Sequence, residues 1–269
     1  MPSAQQLIAF THLPKTAGTS LHHVLRRTFG MRYLVVAKED THSGVFTQAD
    51  LARIRRRYPR LRAFGGHLIL PTRELEDIEG GVRFMTMLRR PAERCASHYA
   101  HERARRGTTT PFPEWVAQPR LRNAQTRRFS DPADADVAIS VFEEKFFFVG
   151  LVEEFSLSLD LLRHDVPDLA VPEEAVPRNP SRSGEIKAAV LSDPAALAAI
   201  EETQAEDVKL YNYVKNTMWP DRIGRMSTSR AAPPREMTAE MRARLSNMKE
   251  RVLFGVQRRI AGSSKDRVG

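Results

Sequence analysis

Ala9-Phe10-Thr11-His12-Leu13-Pro14-Lys15-Thr16-Ala17-Gly18-Thr19-Ser20-Leu21 carries an apolar strand into a loop of small residues and out into a helix. Leu7, Ile8 and Phe10 supply the strand, while Leu21, Val24 and Leu25 recur at helical spacing. The loop between them presents backbone N–H groups at a helix N-terminus, where the dipole and the unpaired donors suit an anion. Gly18 removes a Cβ where a ligand would approach, Lys15 adds a mobile cation, and Thr16, Thr19 and Ser20 offer hydroxyl donors. The stretch reads as a phosphate cradle spanning Lys15, Thr16, Ala17, Gly18, Thr19 and Ser20. The same Gly-Thr-Ser is also a common helix start.

The nearest general motif is the Walker A loop, G-x-x-x-x-G-K-[ST], yet Pro14 precedes the lysine here and Ala9 stands five positions before that proline. Lysine leads this loop instead of closing it, which argues for a related cradle with different chemistry. Val82-Arg83-Phe84-Met85-Thr86-Met87-Leu88 reads as a buried strand delivering Arg89 at its carboxyl end, before a helical run from Ala92 to Tyr99. Ligands of open α/β sheets sit at that end, so Arg89 is placed for a charge-assisted contact with a phosphate. Between these segments, Ala63-Phe64-Gly65-Gly66-His67 puts two glycines before a histidine, a sign of close backbone approach. His67 at a strand end near the same cleft would take a proton; a structural role is the alternative, and His12, His23, His42, His98 and His101 are its rivals.

Strands near Leu7 to Thr11, Arg62 to Gly66, Val82 to Leu88 and Phe147 to Leu151 alternate with helical runs. This predicts the α/β class, a P-loop-like parallel sheet flanked by helices with right-handed connections. The Thr-, Pro- and Arg-rich segment from Gly107 to Ala135 breaks the alternation and is expected in an acceptor cleft, outside the sheet. One domain is expected over residues 1–224. Residues 225–269 read as a basic linker around Met226–Pro234 followed by an amphipathic helix from Met237 to Ile260, which would pack on the core or join a second copy in a homo-oligomer.

The order Pro-Lys-Thr-Ala-Gly-Thr-Ser resembles the 5′-phosphosulfate loop of sulfotransferases, in particular the branch holding carbohydrate and heparan-type 2-O-sulfotransferases and bacterial relatives. Arg89-Arg90-Pro91-Ala92-Glu93-Arg94-Cys95-Ala96-Ser97-His98-Tyr99 is similar to that family's Arg-x-Pro-x-x-Arg-x-x-Ser-x-Tyr segment. The resemblance implies 3′-phosphoadenosine 5′-phosphosulfate (PAPS) as donor, its 3′-phosphate bound by Arg89 and Ser97. It implies His67 as catalytic base, with Lys15 assisting at the leaving group, and no metal. Asn123-Ala124-Gln125-Thr126-Arg127 resembles an Asn-x-Gln-Thr-Arg stretch of bacterial members, making Asn123, Gln125 and Arg127 expected substrate contacts, with an exposed turn as the alternative. The loop Arg178–Arg182 falls where the family closes over the nucleotide, with Pro180 departing from the pattern, and Asp207 to Tyr213 resembles a late Asp-x-x-Leu-Tyr helix.

At 269 residues and 41% hydrophobic content the chain can bury one sizeable core. A charge of +9 calls for anionic ligands without choosing one. The Arg103–Arg128 cluster suits an acidic glycan or a solvated face, and no aromatic ladder or nucleic-acid motif accompanies the basic tail. Cys95 is the sole cysteine, so an internal disulfide is excluded. With neither an apolar leader nor a spanning segment, the expected setting is the cytoplasm, without a membrane anchor. The combined expectation is sulfuryl transfer from PAPS to an acceptor hydroxyl on a carbohydrate or glycan-like substrate. The alternatives are a Mg-dependent P-loop-like kinase and a non-catalytic binder of an anionic polymer.

Overall fold

The structure, a computed structural model, describes residues 6–41, 44–71, 75, 81–171 and 184–228. The loop expected at Arg178–Arg182, the helix expected from Met237 to Ile260, and His42 lie outside the described residues.

Five strands form one wholly parallel sheet: β1 (Leu7–Thr11), β2 (Tyr33–Val35), β3 (Ala63–Gly66), β4 (Val82–Leu88) and β5 (Phe146–Leu151), in the order β2-β3-β1-β4-β5. The chain is an α/β protein with helices flanking the sheet. All five residues of β1 are buried, as the central strand of a sheet covered on both faces requires. Four of the strands coincide with the apolar runs of the sequence. The additional one, β2, is a three-residue edge strand between short turns, too brief to register as a period.

Local chemistry starts and stops the helices. The first, α1 (Gly18–Phe29), ends at Gly30, whose φ of 57° is left-handed. Thr47 and Asp50 form a reciprocal capping box at the start of α2 (Gln48–Arg57). Pro91 opens α3 (Pro91–Arg106), and Gly107 at φ 66° closes it. A short α4 (Phe112–Val116) and turns through Arg128 fill the segment expected outside the sheet. The Asp134 side chain caps α5 (Ala135–Lys145), which runs directly into β5; α6 (Phe155–Asp165) follows. Helices α7 (Gly184–Ser192), α8 (Pro194–Thr203) and α9 (Ala205–Tyr213) lead through a π-turn at Val214–Met218 into α10 (Trp219–Thr228). Residues 226–228, expected within a linker, continue α10 as helix.

The main core lies on both faces of the sheet, with Phe10, Phe64, Phe84 and Phe148 at its centre. A second apolar cluster, built on Trp115, Cys95, Val190 and Ile200, joins α3 to α4, α7 and α8. No helix of the described residues is long and apolar enough to cross a membrane.

Candidate active site

Parallel pairing brings three separated motifs to one edge. Thr11 at the end of β1 stands opposite Gly66 of β3 on one side and Thr86 of β4 on the other. The His12 N–H donates to the Gly66 carbonyl at 3.2 Å, and the Thr86 hydroxyl donates to the Thr11 carbonyl at 2.8 Å. His12, His67 and Arg89, which leave β1, β3 and β4, therefore share the carboxyl edge, where open α/β sheets bind ligands.

The loop from Lys15 to Ser20 is held in an uncommon shape. Lys15 and Ala17 adopt left-handed φ values of 68° and 55°, each costing a non-glycine residue on the order of 1 kcal/mol. Thr16 fixes this shape: fully buried, it donates its hydroxyl to the Leu13 carbonyl at 3.0 Å. Its hydroxyl therefore locks the loop, a correction to its expected role as a ligand donor. The first intrahelical bond runs from the Leu21 N–H to the Ala17 carbonyl, which leaves the N–H groups of Gly18, Thr19 and Ser20 as open donors. Gly18 answers to a neighbour already in place. A Cβ there would lie 1.8 Å from Nε2 of His12, so the imidazole occupies the space that had been assigned to a ligand.

Arg89 crosses to this loop. Its Nη1 donates to the Lys15 carbonyl at 3.2 Å, its Nη2 lies 3.6 Å from Glu93, and its buried Nε has no partner among the described residues. Burial lowers its pKa against the opposing carboxylates of Glu93 and Glu153. Burial, Arg89 and Arg105 together lower that of Lys15, so the pocket wall is electropositive and short of anions. Ser97 is half-buried on α3, two turns from its start, and its hydroxyl makes no hydrogen bond among the described residues.

The stretch from Asn123 to Arg127 has a structural part of its own. Gln125, 1% exposed, accepts the Arg89 N–H and donates to the Arg89 carbonyl, both at 2.9 Å. Asn123 accepts the N–H groups of Glu206 and Asp207 at 3.1 and 3.3 Å, capping α9. Arg127 donates to the Pro119 carbonyl at 2.7 Å. Gln125 thus supports the Arg89 strand end and Asn123 the start of α9, while the Arg127 Nε is buried without a partner among the described residues. Asp207 anchors the same turn by accepting the N–H groups of Gln125 and Thr126, with Arg94 3.9 Å away.

His67 is exposed, and its Nδ1 lies 2.8 Å from the His12 carbonyl. A carbonyl only accepts, so Nδ1 carries the proton, and in the neutral ring Nε2 keeps its lone pair for the cleft. The ring stacks on His12 at 4.0 Å between centroids, 24° from parallel. Beneath it runs a chain that sequence reasoning missed: His22 Nε2 lies 3.1 Å from His12 Nδ1, and His22 Nδ1 lies 2.5 Å from the Tyr33 hydroxyl. Burial, with His67, His22 and Arg128 nearby, lowers the His12 pKa to about 2. Burial, Arg26 and His67 lower that of His22 to about 4, and burial raises that of Tyr33. The chain is thus uncharged at neutral pH and places no cation under the His67 ring. Helical spacing was the available signal, since Gly18, His22, Leu25 and Phe29 share the buried face of α1 while His23 points outward.

Two further described histidines lie on α3, both within electrostatic reach of Lys15. His98 packs on Trp115 and lies 3.5 Å from Glu102; His101 is exposed on α3.

No protein-family model matches the chain, and a search of curated proteins finds no match. Among solved structures the chain is similar to a sulfotransferase from Alicyclobacillus acidocaldarius, at 16% identity and a TM-score of 0.40, over 75% of this chain and 96% of that one. The functional reading rests on the site's own geometry.

Proposed function

We propose that the chain is a sulfotransferase that moves a sulfuryl group from PAPS to a hydroxyl of a carbohydrate or glycan-like acceptor. The observation that carries this is the placement of His67 at the carboxyl edge of the sheet, exposed and with its Nδ1–H tied to the His12 carbonyl, which leaves the Nε2 lone pair free. The donor's two phosphate ends find matching groups. The N–H groups of Gly18, Thr19 and Ser20 with the Lys15 ammonium suit the 5′ end, and the unpartnered Arg89 Nε with the Ser97 hydroxyl suits the 3′-phosphate.

His67 Nε2 accepts the acceptor's hydroxyl proton as its oxygen bonds to sulfur; the bond from sulfur to the bridging phosphate oxygen breaks, releasing the 3′,5′-bisphosphate. A base so placed contributes roughly a hundredfold to ten-thousandfold. Lys15 and the loop N–H groups meet the charge that grows on the leaving oxygen, where pre-aimed donors are most effective. Arg89 holds the nucleotide in line, and Gln125 fixes Arg89.

Calorimetric titration with adenosine 3′,5′-bisphosphate, beside ATP with magnesium, tests the donor. Tight binding of the bisphosphate, weakened at least tenfold by Arg89→Ala, is expected. Preference for magnesium ATP would replace this reading with a phosphoryl-transfer enzyme.

A further inference from the structure

The buried end of the chain beneath His67 decides where its protons sit. Among the described residues the Tyr33 hydroxyl has one hydrogen-bond partner, His22 Nδ1, at 2.5 Å. Tyr33 is buried, so an O–H turned anywhere else would lose its hydrogen bond, and the hydroxyl therefore donates. His22 Nδ1 accepts, which puts the single proton of the neutral ring on Nε2, and that N–H donates to His12 Nδ1 at 3.1 Å. His12 in turn carries its single proton on Nε2. Burial keeps both rings neutral at physiological pH, so no second proton disturbs this order.

His12 Nε2 has no partner among the described residues, and the ring is only partly buried. Its surroundings follow from Gly18. A Cβ on Gly18 would stand 1.8 Å from Nε2 and also 2.0 and 2.5 Å from the two ring carbons that flank it. A point ahead of Nε2 in the ring plane would be much farther from both carbons. Gly18 therefore lies over the face of the ring, and the N–H, which points along the plane, passes clear of it. Gly18 opens α1, and its own N–H is the first of the open donors of the loop. The His12 N–H thus stands next to that set.

We infer that His12 is a further hydrogen-bond donor of the anion loop, its Nε2–H contacting the 5′ anionic end of the donor nucleotide, and that Tyr33 and His22 are positioning residues that fix this tautomer. The nucleotide named rests on the sulfotransferase reading; the anion contact does not. An uncharged N–H adds a hydrogen bond to the cradle without setting another cation against Lys15, whose charge already works against that of Arg89.

The test pairs two substitutions in the full chain. An Asn amide reaches the place of the imidazole Nδ1 and can accept from His22, whereas the longer Gln amide reaches the place of Nε2 and can donate from there. In calorimetry His12→Asn should weaken adenosine 3′,5′-bisphosphate about tenfold or more and leave adenosine 3′-phosphate, which lacks the 5′ group, within about twofold. His12→Gln should keep most of the bisphosphate affinity. Nitrogen NMR of the imidazoles at neutral pH should show His12 protonated at Nε2, with that signal moved by the bisphosphate, and Tyr33→Phe should mix the two tautomers. A His12 proton on Nδ1, bisphosphate affinity unchanged in His12→Asn, or equal loss for both nucleotides would overturn the assignment. Should His12→Asn not fold, the wild-type and Tyr33→Phe spectra still decide. If the bisphosphate does not bind at all, the PAPS reading falls by itself, and inorganic pyrophosphate then probes the loop: movement of the His12 Nε2 signal keeps the anion contact, and no movement overturns it too.

Discussion

His67 owes its orientation to a main-chain carbonyl and not to a carboxylate. That difference has a measurable side: no acidic partner needs to ionise for the ring to stay in place, and the neutral His12 beneath it supplies a flat support. His67→Ala should therefore lower kcat by a factor of roughly 10² to 10⁴ while bisphosphate affinity holds within twofold. A variant retaining more than a third of wild-type kcat would remove His67 from the base role. Gly18→Ala drives a methyl group into the His12 imidazole, so the ring or the loop must shift. The expected result is a melting temperature lower by several degrees and bisphosphate binding weakened about tenfold or more; binding at wild-type strength would show that the loop tolerates the change. Neither role was legible from residue types alone. Gly18 and His67 were picked out, yet the neighbour that constrains both, His12, becomes visible only once β1 and β3 are paired.

At the scale of elements, the turn holding Asn123, Gln125 and Arg128 links structure to chemistry. Its Gln125 amide closes two bonds on the Arg89 backbone, and Asp207 at the start of α9 holds the turn from the other side. Gln125→Leu keeps approximate volume but leaves a buried N–H and carbonyl unpaired, at a cost on the order of 1–3 kcal/mol. It should weaken bisphosphate binding five- to fiftyfold without touching a ligand, and calorimetry beside a thermal melt would separate that from general instability. Unchanged affinity would mean that Arg89 needs no clamp. The four longer strands were readable because parallel strands buried on both faces appear as continuous apolar runs. Asn123 and Gln125 were readable as polar groups but not as supports, because their partners Arg89, Glu206 and Asp207 are remote in sequence and a motif carries no partners with it. Tyr33 escaped for a related reason: β2 is too short to show a period, and its hydroxyl gains meaning only beside His22.

For the molecule as a whole, three half-buried or buried histidines are expected to contribute to the acid limb of stability. The pKa values of His22 and His98 are lowered to about 4 and that of His12 to about 2, chiefly by burial, from an ordinary value near 6.5. Below 6.5 the unfolded chain binds protons that the folded chain refuses, so stability is complete above that pH and declines as pH falls toward 4. Each such histidine contributes a slope of about 1.4 kcal/mol per pH unit within its window. Melting temperatures should fall steadily from pH 6.5 to 4.5, and His22→Gln should flatten the decline; an unaltered slope would assign the acid limb to other groups.

Cys95 lies on α3 two residues before Ser97, 1% exposed, within the cluster that binds α3 to α4, α7 and α8. Burial raises its pKa, so the native thiol is both hidden and unreactive. As the chain's single sulfhydryl it is a built-in clock: a thiol reagent can mark the protein only when that helical layer opens, and each molecule can be marked once. A nucleotide seated on Arg89 and Ser97 should slow the clock in proportion to its occupancy, giving an affinity scale that needs neither turnover nor an acceptor.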